Sequence, residues 1–225
     1  MDRLLFLEPL YCKDMKVTAP RQPKYLEPSD SWDFIPEATI ERVEITGGEL
    51  LGKDLPALQI DEVKLSRIML SGSKLPRLNI RDTFIKGCDF SAVGSSEASL
   101  QRVSLSDGRM TGWDINQGIL RDVSFTNCKL DLVNFRFVHL ENVHFKDCVL
   151  TGADFLRARL NKVNFENCEL DKADFNHTIL KDVDFRTSQI LGLKGWQYLR
   201  GATIDHAQLI TAAPYLASEL GLTIK

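Results

Sequence analysis

The 225-residue sequence has no long hydrophobic run, no strong excess of either charge and no concentration of cysteine, and each shortage removes a class of protein. Nothing in it approaches the twenty or so apolar residues that a membrane-spanning helix needs, so no membrane association is expected. The first apolar run, Leu4 to Leu7, is too short for the hydrophobic region of a secretory signal, and a cytoplasmic location is expected. A formal net charge of -3 argues against direct nucleic-acid binding, which takes clustered Lys and Arg to neutralise phosphates. Five cysteines, an odd number, suit a reducing compartment better than a disulfide framework. No Gly-rich phosphate loop, nucleophile elbow or paired-carboxylate cleft is visible. His139, His144, His177 and His206 share no spacing that would unite them as ligands or as a base beside a nucleophile. The expectation is a protein that is not an enzyme and holds neither cofactor nor metal.

What the sequence does have is a beat. From Ile40 to Ile190 every fifth residue is apolar: of these 31 positions, 30 are Ile, Leu, Met or Phe, and only Ser95 departs. A period of five matches neither a helix nor a straight strand, because on one it wanders around the cylinder and on the other it alternates between faces. The chain must turn once per beat, which describes a solenoid. A second interval, of twenty residues, runs through Val43, Val63, Thr83, Val103, Val123, Val143, Val163 and Val183, and again through Cys88, Gly108, Cys128, Cys148, Cys168 and Ser188. Twenty is four beats, so each coil has four sides. Phe125, Phe145, Phe165 and Phe185 form one file, and Phe135, Phe155 and Phe175 face them from the opposite side. With about 4.8 Å between stacked strands, some eight coils make a rod of roughly 37 Å.

Three segments follow. Residues 1–37 lie outside the beat, contain five prolines and read as an extended N-terminal segment, with a short strand at Leu4 to Leu7 and with Trp32 and Phe34 placed to cover the open end. Residues 38–190 are the repeat. Residues 191–225 form a helical cap: Asp205 is an N-cap, Leu209, Ala213, Leu216 and Leu220 make one apolar stripe, Pro214 starts a second short helix or kinks the first, and Gly221 is a stop. The composition of residues 91–99 predicts a bulge or protruding loop. Trp113 stands where its counterparts are Val133, Ala153 and Ala173, so either the coil widens or the indole points outward.

The units VSFTNCKL, VHFKDCVL, ADFLRARL, VNFENCEL and ADFNHTIL resemble the pentapeptide repeat family and its loose A-[DN]-L-x-x signature. That resemblance implies an all-β, right-handed, four-sided β-helix capped by a C-terminal α-helix, which in several bacterial members forms a two-fold dimer. Here the dimer element would be the stripe Leu209, Ala213, Leu216 and Leu220.

The cysteine column invites a metal, but thiols in a line cannot converge as a tetrahedron, and buried cysteine behaves as a small apolar residue. A surface for a protein partner of unknown identity is the main functional expectation. Asp114, Asp154 and Asp174, with Asp131 and Asp171 beside them, form an acidic stripe; Arg136, Arg157 and Arg159 gather positive charge on the neighbouring side, with Phe137 off the beat. Turn-capping by the Asp column is the simpler explanation. The alternative is a DNA mimic that binds a type II topoisomerase such as DNA gyrase, as in the quinolone-resistance branch of the family. Residues 100–190 hold 13 acidic and 12 basic side chains, a weak imitation of duplex DNA, which carries about one charge per 1.7 Å.

Overall fold

The computed structural model describes residues 16–29, 34–219 and 221–223. The chain winds through about nine coils of parallel β-solenoid and ends in one helix. Its strands are β1 (Glu27–Pro28), β2 (Thr39–Glu41), β3 (Val43–Glu49), β4 (Gln59–Asp61), β5 (Lys64–Met69), β6 (Asn79–Lys86), β7 (Ser99–Ser106), β8 (Ile119–Thr126), β9 (His139–Lys146), β10 (Arg159–Glu166), β11 (Ile179–Asp184) and β12 (Ala202–Thr203). The helix α1 spans His206–Glu219. Neighbouring strands pair in parallel at a register of twenty, as in Leu140 with Leu160 and Val143 with Val163. Sheet pairing extends past the periodic segment at both ends, since β1 pairs with β3 and β12 with β11.

The turn at each beat has one cause. The residue two after the apolar beat sits in the left-handed region at coil after coil: Asn127 at φ 52°, Leu132 at 57°, Phe137 at 57° and Asn142 at 54° lie in succession around one coil. A left-handed residue bends the extended chain and so makes a corner. The four corners leave four sides, on which the beat residue and the residue two before it point inward. At one corner the column is Gly47, Arg67, Gly87, Asp107, Asn127, Asp147 and Asn167, all but Arg67 of the types that tolerate this conformation. Coil-to-coil hydrogen bonds then hold the sides, as in Leu150 N–H to Glu169 O at 2.8 Å and Asp154 N–H to Val133 O at 2.9 Å.

The interior is filled. Phe125, Phe145, Phe165 and Phe185 stack in parallel with centroids 4.9 to 5.0 Å apart, and Phe135, Phe155 and Phe175 form the opposite file. Across the axis the two files meet edge to face, as for Phe155 and Phe165 at 6.1 Å and 89°. Both geometries suit the ring quadrupole and add about 0.5–1.5 kcal/mol per pair beyond burial. The cysteine column lies inside as well. Cys148 Sγ donates to Lys146 O at 3.2 Å and Phe125 O at 3.5 Å, and burial pushes the Cys88 thiol up to about 11, so this column supplies hydrogen bonds.

One expectation is corrected, and one of two alternatives is excluded. Residues 91–99 do not protrude: Gly94 bridges Lys74 and Asp114, and Ser99 pairs with Ile119, in unbroken register. Nor does the indole of Trp113 point outward. It is fully buried, 5.3 Å from Phe90, and its Nε1–H donates to Ser95 Oγ. The departure of the beat at Ser95 is the space that Trp113 occupies. Pro214 lies inside a single helix. Leu4 to Leu7, Cys12, Trp32 and Leu220 fall outside the described residues; Phe34 is buried in the core.

Residues 16–29 form a strap along the corner column Arg42, Glu62, Asp82, Arg102, Asp122, Asn142. Asn142 Nδ2 donates to Lys16 O, Thr18 N–H to Asp122 and Arg21 N–H to Asp82, while Gln22 Nε2 reaches Val63 O and Asp82 O. The strap thus crosses the stacked coils against their numbering. Burial alone would raise the Asp82 carboxyl, but Arg102, bonded to both oxygens, and the Arg21 N–H together hold it below the usual carboxylate range. Asp122 is lowered too: burial works against it and Thr18 and Asn142 outweigh burial.

Two expectations follow. Ser95→Leu alone drives a side chain into the indole, and Trp113→Val alone empties space and removes the donor that Ser95 Oγ accepts; each is expected to cost about 2–4 kcal/mol. Together they restore the ordinary beat, so urea unfolding of the double variant should recover at least about 1 kcal/mol of the summed loss; simple additivity would contradict the exchange. Because Asp82 and Asp122 are depressed on folding, their contribution is present above the unfolded carboxylate value of about 4 and is lost as pH falls through the folded values. Amide exchange at Thr18 and Arg21 should therefore accelerate below about pH 4, relative to core amides. Protection unchanged to pH 2 would contradict this.

Candidate interaction surface

The side that runs through residues 133–136 and its neighbours above and below gathers four of the charged residues singled out from sequence, Asp114, Asp154, Asp174 and Arg136. Asp114, Asn134, Asp154 and Asp174 form its ladder of bridges. Their side chains are committed to the fold. Asp114 Oδ1 accepts from Asn116 N–H, Asn116 Nδ2 and Asn134 Nδ2. Asp154 Oδ1 accepts from Leu156 N–H at 2.9 Å, and Asp174 Oδ1 from Asn176 N–H at 2.8 Å. These are side-chain turns, each carboxylate meeting the backbone two residues on.

The corners divide the remaining residues differently from the sequence-based grouping. Asp131 and Asp171 precede the corner at Leu132 and Lys172 and so lie on the adjacent side, where Asp131 accepts from the Thr111 hydroxyl at 2.9 Å. Arg136 shares the side of the Asp column and pairs with Asp154 at 2.6 Å. Phe137 and Arg157 are corner residues, and the Arg157 guanidinium sits 5.9 Å from the Phe137 ring centroid. Arg159 and His139 lie past that corner, pairing in register on β9 and β10. The same corner continues to His177, whose ring is 4.5 Å from Tyr198.

Two apolar residues stand out at this side. Leu132 and Phe137, at its two edges in one coil, are 65% and 43% exposed, and both hold left-handed backbone that bulky side chains avoid, at about 1–2 kcal/mol each. A core side chain could offset that cost by burial; these do not. Leu156, half-buried in the next coil, lies between them. Sequence reasoning found Phe137 and missed Leu132, Leu156 and Tyr198. The available signal for Leu132 was its place two after the beat, among Gly52, Gly72, Gly112 and Gly152.

Charge is cancelled along the columns. Arg42 pairs with Glu62, Arg81 with Asp61, Arg102 with Asp82, Arg121 with Glu141 and Lys146 with Glu166, each pair joining residues twenty apart in adjacent coils. Among the described residues no three His, Cys, Asp or Glu side chains are grouped to hold a metal ion, and no helix is long and apolar enough to cross a membrane.

A parallel β-solenoid whose coils are built from four five-residue sides defines the structural class. Residues 118–194 match the family model described as a pentapeptide repeat region, and the chain carries a pentapeptide repeat there. No curated protein matches the sequence at a significant level. Among solved structures, similarity is found to HetL, a pentapeptide repeat protein involved in heterocyst differentiation regulation in the cyanobacterium Nostoc sp., at 19% identity over 68% of this chain and 89% of that one, with a TM-score of 0.33. QnrB1, a plasmid-mediated fluoroquinolone resistance protein, in an M102R trypsin-treated form, is 20% identical over 89% of this chain and 97% of that one, with a TM-score of 0.38. A pentapeptide repeat protein from the Arabidopsis thaliana thylakoid lumen is 20% identical over 42% and 66%, with a TM-score of 0.38.

Proposed function

We propose that the protein is a non-catalytic, rigid module that binds another protein through the side flanked by Leu132 and Phe137. The observation that carries this reading is the pair of exposed apolar residues kept in unfavourable left-handed backbone on an otherwise polar side. The corners are left-handed throughout the rod and elsewhere carry glycine, alanine or polar residues, so large apolar side chains left exposed at two of them point to a use outside the fold. Exposed aromatics paired with arginine are also typical anchors of protein interfaces. Around them the Arg136–Asp154 pair and the amides of Asn116 and Asn176 form a polar rim. A rod with a filled interior loses little freedom on binding, which favours recognition by a preformed surface.

The ion pairs that alternate along the columns favour this reading over an imitation of duplex DNA. A mimic needs a continuous stripe of one sign, whereas here Asp154 is neutralised by Arg136 and the other Asp side chains of the column are engaged with turn amides.

We further infer that α1 mediates self-association through its outer face. Leu209 and Ala213 are exposed on it, beside Ile210, whereas Ala212 is buried and Leu216, further along the helix, packs against the core. Leu209, Ala213 and Leu216 thus share one face, as the sequence stripe implies, but differ in exposure along the helix, because the C-terminal part of that face meets the core.

Leu132→Gly with Phe137→Gly should leave the thermal midpoint unchanged or raise it, since glycine relieves the left-handed corners, while partner capture from host lysate is lost. Capture equal to the wild type would refute the surface, and a clear loss of stability would show that both residues serve the fold. Leu209→Asp with Ile210→Asp should sediment as a monomer where the wild type sediments as a dimer; a monomeric wild type removes the helix proposal.

A further inference from the structure

The end of the solenoid is incompletely closed, and the gap has a defined chemistry. After β12 the chain forms α1 in place of another coil, so the last coil keeps a rim of backbone groups that would otherwise pair. Gln208 covers part of the rim in strict register. In the preceding coils the side chain at this position donates to the carbonyl 23 residues earlier: Cys148 to Phe125 O, Cys168 to Phe145 O and Ser188 to Phe165 O. Gln208 Nε2 does the same to Phe185 O at 2.6 Å. It also donates to Ser188 O at 2.7 Å, the carbonyl that a further coil would reach with a backbone N–H, as Gln189 N–H reaches Cys168 O. Asp205 and Gln208 lock this amide through a reciprocal capping box, Gln208 N–H to Asp205 Oδ1 at 2.8 Å and Asp205 N–H to Gln208 Oε1 at 2.9 Å.

Beside Gln208 the rim stays open. A half-open chamber of about 490 Å³ separates the last coil from α1, walled by Ile190, Leu191, Trp196, Ala207, Thr211 and Ala212. Two unpaired hydrogen-bond donors belong to residues that line it. The indole Nε1–H of Trp196 is buried without a partner, on a side chain only 7% exposed. The backbone N–H of Ile190 is the other. Its counterparts donate to the next coil, Leu130 to Val149 O, Leu150 to Glu169 O and Leu170 to Gln189 O, at 2.7 to 2.9 Å. No next coil receives Ile190, and among the described residues no acceptor meets it. An unpaired buried donor costs about 1–3 kcal/mol, so the chamber favours a ligand that brings acceptors.

We propose that this chamber binds a short extended peptide segment of another molecule, which continues the β-ladder where a further coil would lie. One peptide carbonyl accepts from Ile190 N–H, as the carbonyls of Val149, Glu169 and Gln189 accept in the coils before it. A second accepts from the Trp196 indole. The apolar walls at Ile190, Leu191 and Ala212 take a side chain. The volume is in the range of pockets that enclose small ligands, and addition of a strand to an exposed sheet edge is an established mode of peptide recognition. The proposal is independent of the Leu132 and Phe137 surface, at a different place on the rod.

The test is selection from a random heptapeptide phage library on the full chain, followed by amide and indole NMR of the chain with the selected peptides. Enriched peptides should shift the Trp196 indole and Ile190 amide resonances, bind about three- to tenfold more weakly to Trp196→Phe, which removes one hydrogen bond and keeps the ring, and fail to bind Thr211→Trp, which fills the chamber. Thermal midpoints of both variants check that they are folded. Failure to enrich any peptide, or enrichment of peptides that bind both variants as well as the wild type, overturns the proposal. Acetate alone reproducing the resonance shifts overturns it too, in favour of a small-anion pocket. Variants at Leu132 and Phe137 should bind the peptides normally.

Discussion

Everything in this protein hangs on a left-handed residue placed at every fifth position. That conformation costs about 1–2 kcal/mol for a residue with a side chain, and the fold repeats it at each corner. Three returns offset it: inward burial of two side chains per side, backbone bonds from each coil to its neighbours, and the stacking that strict repetition allows. Phe125, Phe145, Phe165 and Phe185 can stack in parallel only because the corners recur at the same residues in every coil. A shift of one residue at any corner would throw the file out of line.

The same repetition governs the surface and the ends. Residues twenty apart are neighbours, so opposite charges at that interval pair along the rod, and Asp and Asn side chains alternate as donors and acceptors, as in Asn127 to Asp107 and Asn167 to Asp147. Repetition also creates the problem of termination, because each coil is the hydrogen-bonding partner of the next. At the C-terminal end Gln208 answers it by supplying, from a helix, the donor that a coil would have supplied. Along one corner the strap from Lys16 onward adds its own bonds to Asp82, Asp122 and Asn142, which the repeat already links to one another or to Arg102.

Where the pattern is broken, the structure shows compensation or exposure. Ser95 and Trp113 compensate each other, a small residue on the beat making room for a large one off it in the adjacent coil. Gly108, in the cysteine column, similarly leaves room for Met110, whose Cε would stand 2.9 Å from an added Cβ. Gly152 leaves room in the same way for Leu132, whose Cδ2 would stand 2.9 Å from an added Cβ, yet Leu132 and Phe137 stay largely exposed. They are the large apolar residues that occupy left-handed corners, and for that reason they mark the surface proposed for binding.

The beat of five and the interval of twenty by themselves determined the solenoid, its four sides, the two phenylalanine files and the inward cysteine column, because a period belongs to the chain and needs no partner to be read. Asp205 was likewise legible as an N-cap, since a cap is a local contact. Tertiary structure alone decided that Trp113 lies inside, that residues 91–99 stay in register, that Arg136 sits with the Asp column while Asp131 and Asp171 do not, and that Leu209 is exposed while Leu216 packs on the core. Each of these depends on where a corner falls or on what occupies the adjoining coil, and such relations between residues about twenty apart exist only once the coils are stacked.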